Sequence, residues 1–171
     1  LRDGLKEGLR RGDKDAAISS FTLAELASHK MIDSRTAGFL SYLVDNQNSI
    51  LITGPRSSGK TSLLTALILE MPRNSRIIII EDTPEIPVND LRALGFKIEH
   101  LKTEAFAKGF EISTEDALRT SLRLGDSILV IGEGRGPEAK ALFEAMSVGA
   151  AGNVVLGTIH GSNAYDTFDR V

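Results

Sequence analysis

The chain has 171 residues, 42% of them hydrophobic and 25% charged, which is room for one domain with a single buried core. That composition excludes disorder or coiled coil for the bulk of the chain, no apolar run approaches the roughly 18 residues that cross a bilayer, and zero cysteines exclude a disulfide framework or a thiolate metal site. A net charge of −3, a pI near 5.7, no Trp, seven Phe and two Tyr argue against a surface that binds or stacks nucleic acid.

Residues 1–20 mix Gly4, Gly8 and Gly12 with many charges and offer little to bury, so they read as a linker or the stump of a missing N-terminal domain. They contain no apolar segment of the kind that marks a secretory signal. From residue 21 the pattern tightens into a helical lead-in, 21–48. Thr22-Leu23-Ala24-Glu25 has the spacing of a capping box at a helix start. A second helix begins at Asp33 or Ser34, with Phe39, Leu40, Leu43 and Val44 expected on one inward face.

From residue 49 to 171 short apolar runs alternate with amphipathic helices. Ser49 to Thr53 reads as a buried strand leading into a Gly-rich turn. A helix follows with Leu63, Leu64, Leu67, Ile68 and Met71 inward, ended by Pro72. Arg76 to Ile80, with four consecutive isoleucines, is the second strand, and Lys97 to Leu101 a weaker third. Ser113 to Asp116 opens a helix that Gly125 closes, and Ser127 to Ile131 is the fourth strand. Pro137 starts a helix with Ala139, Leu142, Phe143 and Met146 inward, stopped by Gly149, and Asn153 to Ile159 is the last strand. Near-continuous apolar strands alternating with helices predict an α/β domain, a mostly parallel central sheet with helices on both faces.

Gly54-Pro55-Arg56-Ser57-Ser58-Gly59-Lys60-Thr61 fits the phosphate-binding pattern G-x-x-x-x-G-K-[ST], and it lies between a strand and a helix as that pattern requires. Its glycines allow successive N–H groups to point inward as an anion nest, and the following helix, which begins with Lys60, Thr61 and Ser62, adds its positive end. Lys60 can reach the β- and γ-phosphates of a nucleotide, and the Thr61 hydroxyl can ligate Mg²⁺. Hydrolysis also needs a carboxylate to orient water. Glu133 qualifies, following the fourth strand, and is a candidate metal ligand as well, although Gly132 stands where many P-loop proteins carry Asp. Glu81, Asp82 and Glu85 qualify at the end of the isoleucine strand, where they could hold Mg²⁺ or polarise a nucleophile. His160 follows the last strand on the same edge, either as a γ-phosphate sensor and coupling residue or as a surface cap. His29 and His100 read as structural. Arg119 and Arg123 share a helix face that meets phosphate, a neighbouring subunit or solvent, and Arg135 is a candidate for a site-linked ion pair.

Four boxes in order carry a resemblance: Gly54 to Thr61, the acidic box Ile80 to Glu85, the segment Val130-Ile131-Gly132-Glu133-Gly134-Arg135, and Gly157-Thr158-Ile159-His160-Gly161. Together they resemble the type II/type IV secretion-system ATPases, motors of secretion, conjugation and pilus or archaeal filament assembly; the stretch from Glu111 to Val171 is most similar to archaeal members. The resemblance implies a RecA-like core that binds ATP and Mg²⁺, with Glu133 as general base or water positioner. It implies an acidic box (Glu81, Asp82, Glu85) that supports metal and water, and His160 linking the site to subunit motion. It further implies a homo-hexameric ring at the cytoplasmic face of the membrane, acting on a membrane platform protein. Gly134 and Gly136 depart from the family pattern around Arg135, whose role stays open. The family also carries an N-terminal domain with arginine fingers and helices beyond the last box, so the chain reads as a fragment expected to bind nucleotide better than it hydrolyses it. The alternative reading is a RecA-like ring ATPase or helicase acting on nucleic acid, against which the acidic pI and scarce aromatics count.

Overall fold

Four isoleucines in a row leave a strand with no face fit for water, and the fold buries both. In the computed structural model, which describes residues 21–103, 113–123, 126–134, 146 and 154–168, Ile77, Ile78, Ile79 and Ile80 are each 0% exposed. Their strand β2 (Arg76–Glu81) belongs to a five-stranded sheet with β1 (Ile50–Gly54), β3 (Lys97–Lys102), β4 (Ser127–Gly134) and β5 (Val154–His160). The strand order is β1-β5-β4-β2-β3 and every pairing among the described strands is parallel.

Because side chains alternate across a strand, the two sheet faces collect different residues. Ile77 and Ile79 join Val130 and Leu156 on one face. It is covered by α1 (Leu23–Ser28), α2 (Ser34–Asp45), α3 (Lys60–Glu70) and α4 (Val88–Ala93). Ile78 and Ile80 join Leu129, Ile131 and Val155 on the other, against Ala117 and Leu118 of α5 (Thr114–Leu122). The expected α/β architecture is therefore what folds. Ile79→Ala, which empties a fully buried position, is expected to cost about 2–5 kcal/mol. The measurement is a lowered urea midpoint with an unchanged slope.

The first two helices start at side-chain caps. The Thr22 hydroxyl accepts the Glu25 N–H at 3.2 Å and the Glu25 carboxylate accepts the Thr22 N–H at 2.9 Å, so the capping box closes both ways. Asp33 caps α2 by accepting the Thr36 N–H at 2.6 Å, and that bond holds the Asp33 carboxyl below its ordinary range. The inward stripe of α2 is Ala37, Leu40 and Val44, and Phe39 lies off it, 58% exposed, contrary to the expected face. Helix α3 is buried beyond the expected stripe, with Thr65 and Ala66 enclosed as well, because it lies between the sheet and the α1–α2 pair. The Thr65 hydroxyl meets that burial by donating to the Thr61 carbonyl at 2.8 Å.

Two short helices are additions to the sequence pattern: α4, which buries Val88 and Leu91 after Pro87, and α6 (Ala164–Phe168) beyond the last strand. Strand β4 runs through Gly134, so Glu133 lies within a strand extension and not after the strand. Of the predicted helix after Pro137, only Met146 is among the described residues, and it packs partly buried against the α5 face. Residues 1–20, Gly125, Arg135, Gly149 and Asn153 lie outside them.

Candidate functional site

Parallel pairing places the carboxyl ends of all five described strands on one edge of the sheet, where ligands of open α/β sheets bind. The register sets Gly54 beside His160, and β5 separates the Gly-rich turn after β1 from Glu133 on β4. A cavity of about 510 Å³ opens at this edge. Its lining comprises Arg56 to Ser62 from the turn and the start of α3, Glu85 from the acidic loop, Gly132 and Glu133 from β4, and Thr158 and His160 from β5. That size lies within the range typical of small-molecule sites.

The turn owes its shape to two special positions. Gly59 has φ +83°, the left-handed region that glycine occupies without cost, and there it caps α3; Ser57 also has a positive φ of 57°. Alternation of this kind turns successive N–H groups to one side as an anion nest. A Cβ on Gly54 would lie 2.6 Å from the Ser58 Oγ, so the turn folds back closely only because the position is bare. The Lys60 ammonium donates to the Gly54 and Pro55 carbonyls at 3.1 and 2.8 Å, which poises the cation over the turn. Gly54 and Pro55 thus frame the cavity that Arg56 to Ser62 line.

Opposite the turn stand the acid–base groups. The Thr61 hydroxyl donates to a Glu85 carboxylate oxygen at 2.8 Å, tying the acidic loop to the head of α3. Glu133 and His160 touch through Oε1 and Nε2, both side chains only partly exposed. The register between β4 and β5 shifts between Ile131 and Gly134, an irregularity of the kind that re-aims a side chain at a strand end. The Thr158 hydroxyl donates to the Gly132 carbonyl and anchors that irregular stretch.

The acidic box does not act as one cluster. Glu81 is 3% exposed and does not line the cavity; its Oε1 accepts the N–H groups of Glu85 and Ile86, each at 3.1 Å. Its Oε2 lies 3.1 Å from His100 Nε2, off the alignment of a hydrogen bond. Burial raises the Glu81 pKa above the carboxylate range, against the lowering effect of those backbone donors and of His100. The Asp82 carboxylate accepts the Thr83 N–H at 2.6 Å and is also outside the cavity lining. Of the positions expected to hold metal, Thr61, Glu85 and Glu133 line the cavity, and Glu81 and Asp82 do not. Among the described residues no three His, Asp or Glu side chains gather around one metal-sized point. The physical reason is the turn itself: Glu81 points into the fold, and the loop winds around its carboxylate to bring Glu85 back to the edge. His100, read as purely structural, is the partner of that buried carboxylate. Arg119 on α5 and Arg123, its C-cap, are both exposed.

Residues 10–171 match the family model described as type II/IV secretion system protein. An uncharacterized protein of Methanocaldococcus jannaschii is 34% identical over 136 residues, 80% of this chain and 48% of that relative. The type IV secretion system protein VirB11 of Bartonella quintana is 32% identical over 133 residues, 78% of this chain and 36% of that protein. A twitching motility protein of Neisseria gonorrhoeae is 33% identical over 125 residues, 71% of this chain and 31% of that protein. Among solved structures, the VirB11 ATPase of the Brucella suis type IV secretion system, in complex with sulphate, superposes with a TM-score of 0.65 at 28% identity. That match covers 86% of this chain and 40% of the other. The Legionella pneumophila ATPase DotB, at 23% identity and a TM-score of 0.59 over 83% of this chain and 37% of that one, shares the fold. The chain thus spans about half or less of the length of these relatives.

Proposed function

The chain belongs to the type II/IV secretion system protein family, and on that footing we propose that it is the nucleotide-binding core of an ATP-hydrolysing motor for secretion or filament assembly. The observation that carries the proposal is convergence. The Gly-rich turn with Lys60 and Thr61, the carboxylates of Glu85 and Glu133, and His160 line one cavity although they come from four separate stretches of chain. A triphosphate seated on the turn would meet its N–H groups and the positive end of α3. Thr61, paired with Glu85 on the cavity wall, suits Mg²⁺, which is usually held by few protein oxygens together with phosphates and water. The ion would supply charge neutralisation at the phosphoryl oxygens.

In this reading Glu133 orients a water for attack on the γ-phosphorus and takes its proton, while the bond to the bridging oxygen breaks. His160, in contact with Glu133 and at the end of β5, reports the state of the site to the sheet. Family membership supports a ring of six copies acting on a membrane platform protein from the cytoplasmic side. No helix among the described residues is long and apolar enough to cross a membrane itself.

The test is an ATPase assay of the full-length protein with Mg²⁺, repeated with DNA or RNA added. Turnover that nucleic acid leaves unchanged is the expected result. Stimulation of several-fold would favour a nucleic-acid motor.

A further inference from the structure

We propose that Glu81 is a positioning residue for the hydrolytic site: a buried strut that sets both the loop carrying Glu85 and the Gly132–Glu133 stretch of β4, and not a ligand to metal. The inference rests on the proposed ATPase reading for its catalytic consequence, but its geometry stands independently. Three contacts fix the strut. Its Oε1 accepts two consecutive backbone N–H groups, of Glu85 and Ile86, at 3.1 Å each. Its main-chain carbonyl accepts the Thr103 N–H at 2.9 Å, which pins the end of β2 to the residue after β3. Its side chain also occupies the space over Gly132: a Cβ there would lie 2.6 Å from the Glu81 Cγ and 3.0 Å from its Oε1.

The last contact gives a physical reason for glycine at position 132. The residue before Glu133 can carry no side chain while Glu81 lies across it, and Glu81 is 3% exposed, with no open space to yield into. A carboxylate so enclosed, with one oxygen spent on two backbone donors and the other facing His100, has no oxygen turned toward the cavity. Its leverage is indirect and double. It shapes the loop that delivers Glu85 to Thr61, and it seats the backbone from which Glu133 projects. Misplacing either by about 1 Å is enough to cost roughly 100-fold in rate.

The experiment compares E81Q, E81A and G132A in the full-length protein by amide hydrogen exchange and by steady-state ATP hydrolysis. Glutamine keeps an acceptor for the two N–H groups and alanine does not. E81A is expected to lose exchange protection at Glu85 and Ile86 and to lower kcat roughly 100-fold, with KM for ATP changed by less than about threefold. E81Q is expected to restore the protection and most of the rate. G132A, which drives a methyl group into the strut, is expected to lower kcat in the same way while Glu81 itself is intact, and so gives the answer even where E81A fails to fold. Unchanged protection at Glu85 and Ile86 in E81A would overturn the strut whether or not the parent protein hydrolyses ATP. A rate in E81Q as low as in E81A, with both needing at least about tenfold more Mg²⁺ for half-maximal turnover, would make Glu81 a metal ligand instead. G132A turning over at the parent rate would also refute the proposal. A parent protein with no ATPase, but with the exchange pattern as expected, would count against the ATPase reading and leave the strut standing.

Discussion

Lys60→Ala is expected to weaken ATP binding by roughly 10- to 100-fold and to remove measurable turnover. The ammonium is held by the Gly54 and Pro55 carbonyls over the turn, with its tip at the cavity wall. Charge-assisted hydrogen bonds contribute about 1.5–3 kcal/mol each, so deleting the donor of one or two of them at the phosphates accounts for that loss of affinity. Turnover suffers more than binding, because charge on the phosphoryl oxygens must be met as the transition state forms. Removing one such donor typically costs 10²- to 10³-fold in rate, about what an assay can follow before background. The anion nest and the helix end remain in the variant, so a residue of binding should survive. Equilibrium titration with a fluorescent ATP analogue, followed by phosphate-release kinetics, separates the two effects. Parent-like turnover in this variant would remove the Gly-rich turn from the chemistry.

Glu133→Gln is expected to do the opposite with affinity. ATP binding should stay within about threefold of the parent, since Gln is isosteric and the phosphate cradle lies on the turn. Hydrolysis should fall by about 10²- to 10⁴-fold, the range associated with losing a positioned general base. The structural ground is the position of Glu133 on an irregular strand extension across the cavity from Lys60, in contact with His160. Single-turnover measurements after rapid mixing distinguish a slowed chemical step from slowed product release. A Gln variant that hydrolyses ATP at the parent rate would assign the base elsewhere, and Glu85, hydrogen-bonded to Thr61, would be next to examine.

Much of the fold and part of the site are legible in the sequence. The isoleucine run announced a strand buried on both faces, and the spacing of the Gly-rich turn between a strand and a helix located the phosphate cradle. Because parallel strands share a carboxyl edge, the end positions of Glu133 and His160 put both on the same edge of the sheet, and the fold adds that they touch. What sequence could not carry was direction at the ends of strands. Glu81, Asp82 and Glu85 fall within five residues and read as one acidic cluster. Only the fold separates a carboxylate that turns inward beneath Gly132 from one that returns to the edge. The link between His100 and Glu81 was hidden for the same reason, since it depends on β2 and β3 being neighbours. Phe39, Leu40, Leu43 and Val44 do share one helical face, but the fold turns α2 so that Ala37 packs inward and Phe39 stays exposed, and α4 is too short to show a period, with only Val88 and Leu91 buried.

The proposed function requires a nucleoside triphosphate in the cavity at the sheet edge, with its terminal phosphate between Lys60 and Glu133. A structure of the full-length protein with Mg²⁺ and a slowly hydrolysed ATP analogue tests it most directly. The expected result is phosphates against the N–H groups of residues 57–61, the ion at Thr61, and the γ-phosphate facing Glu133 and His160. A triphosphate bound at another surface, or seated on the turn with Glu133 directed away from it, would refute the proposed function.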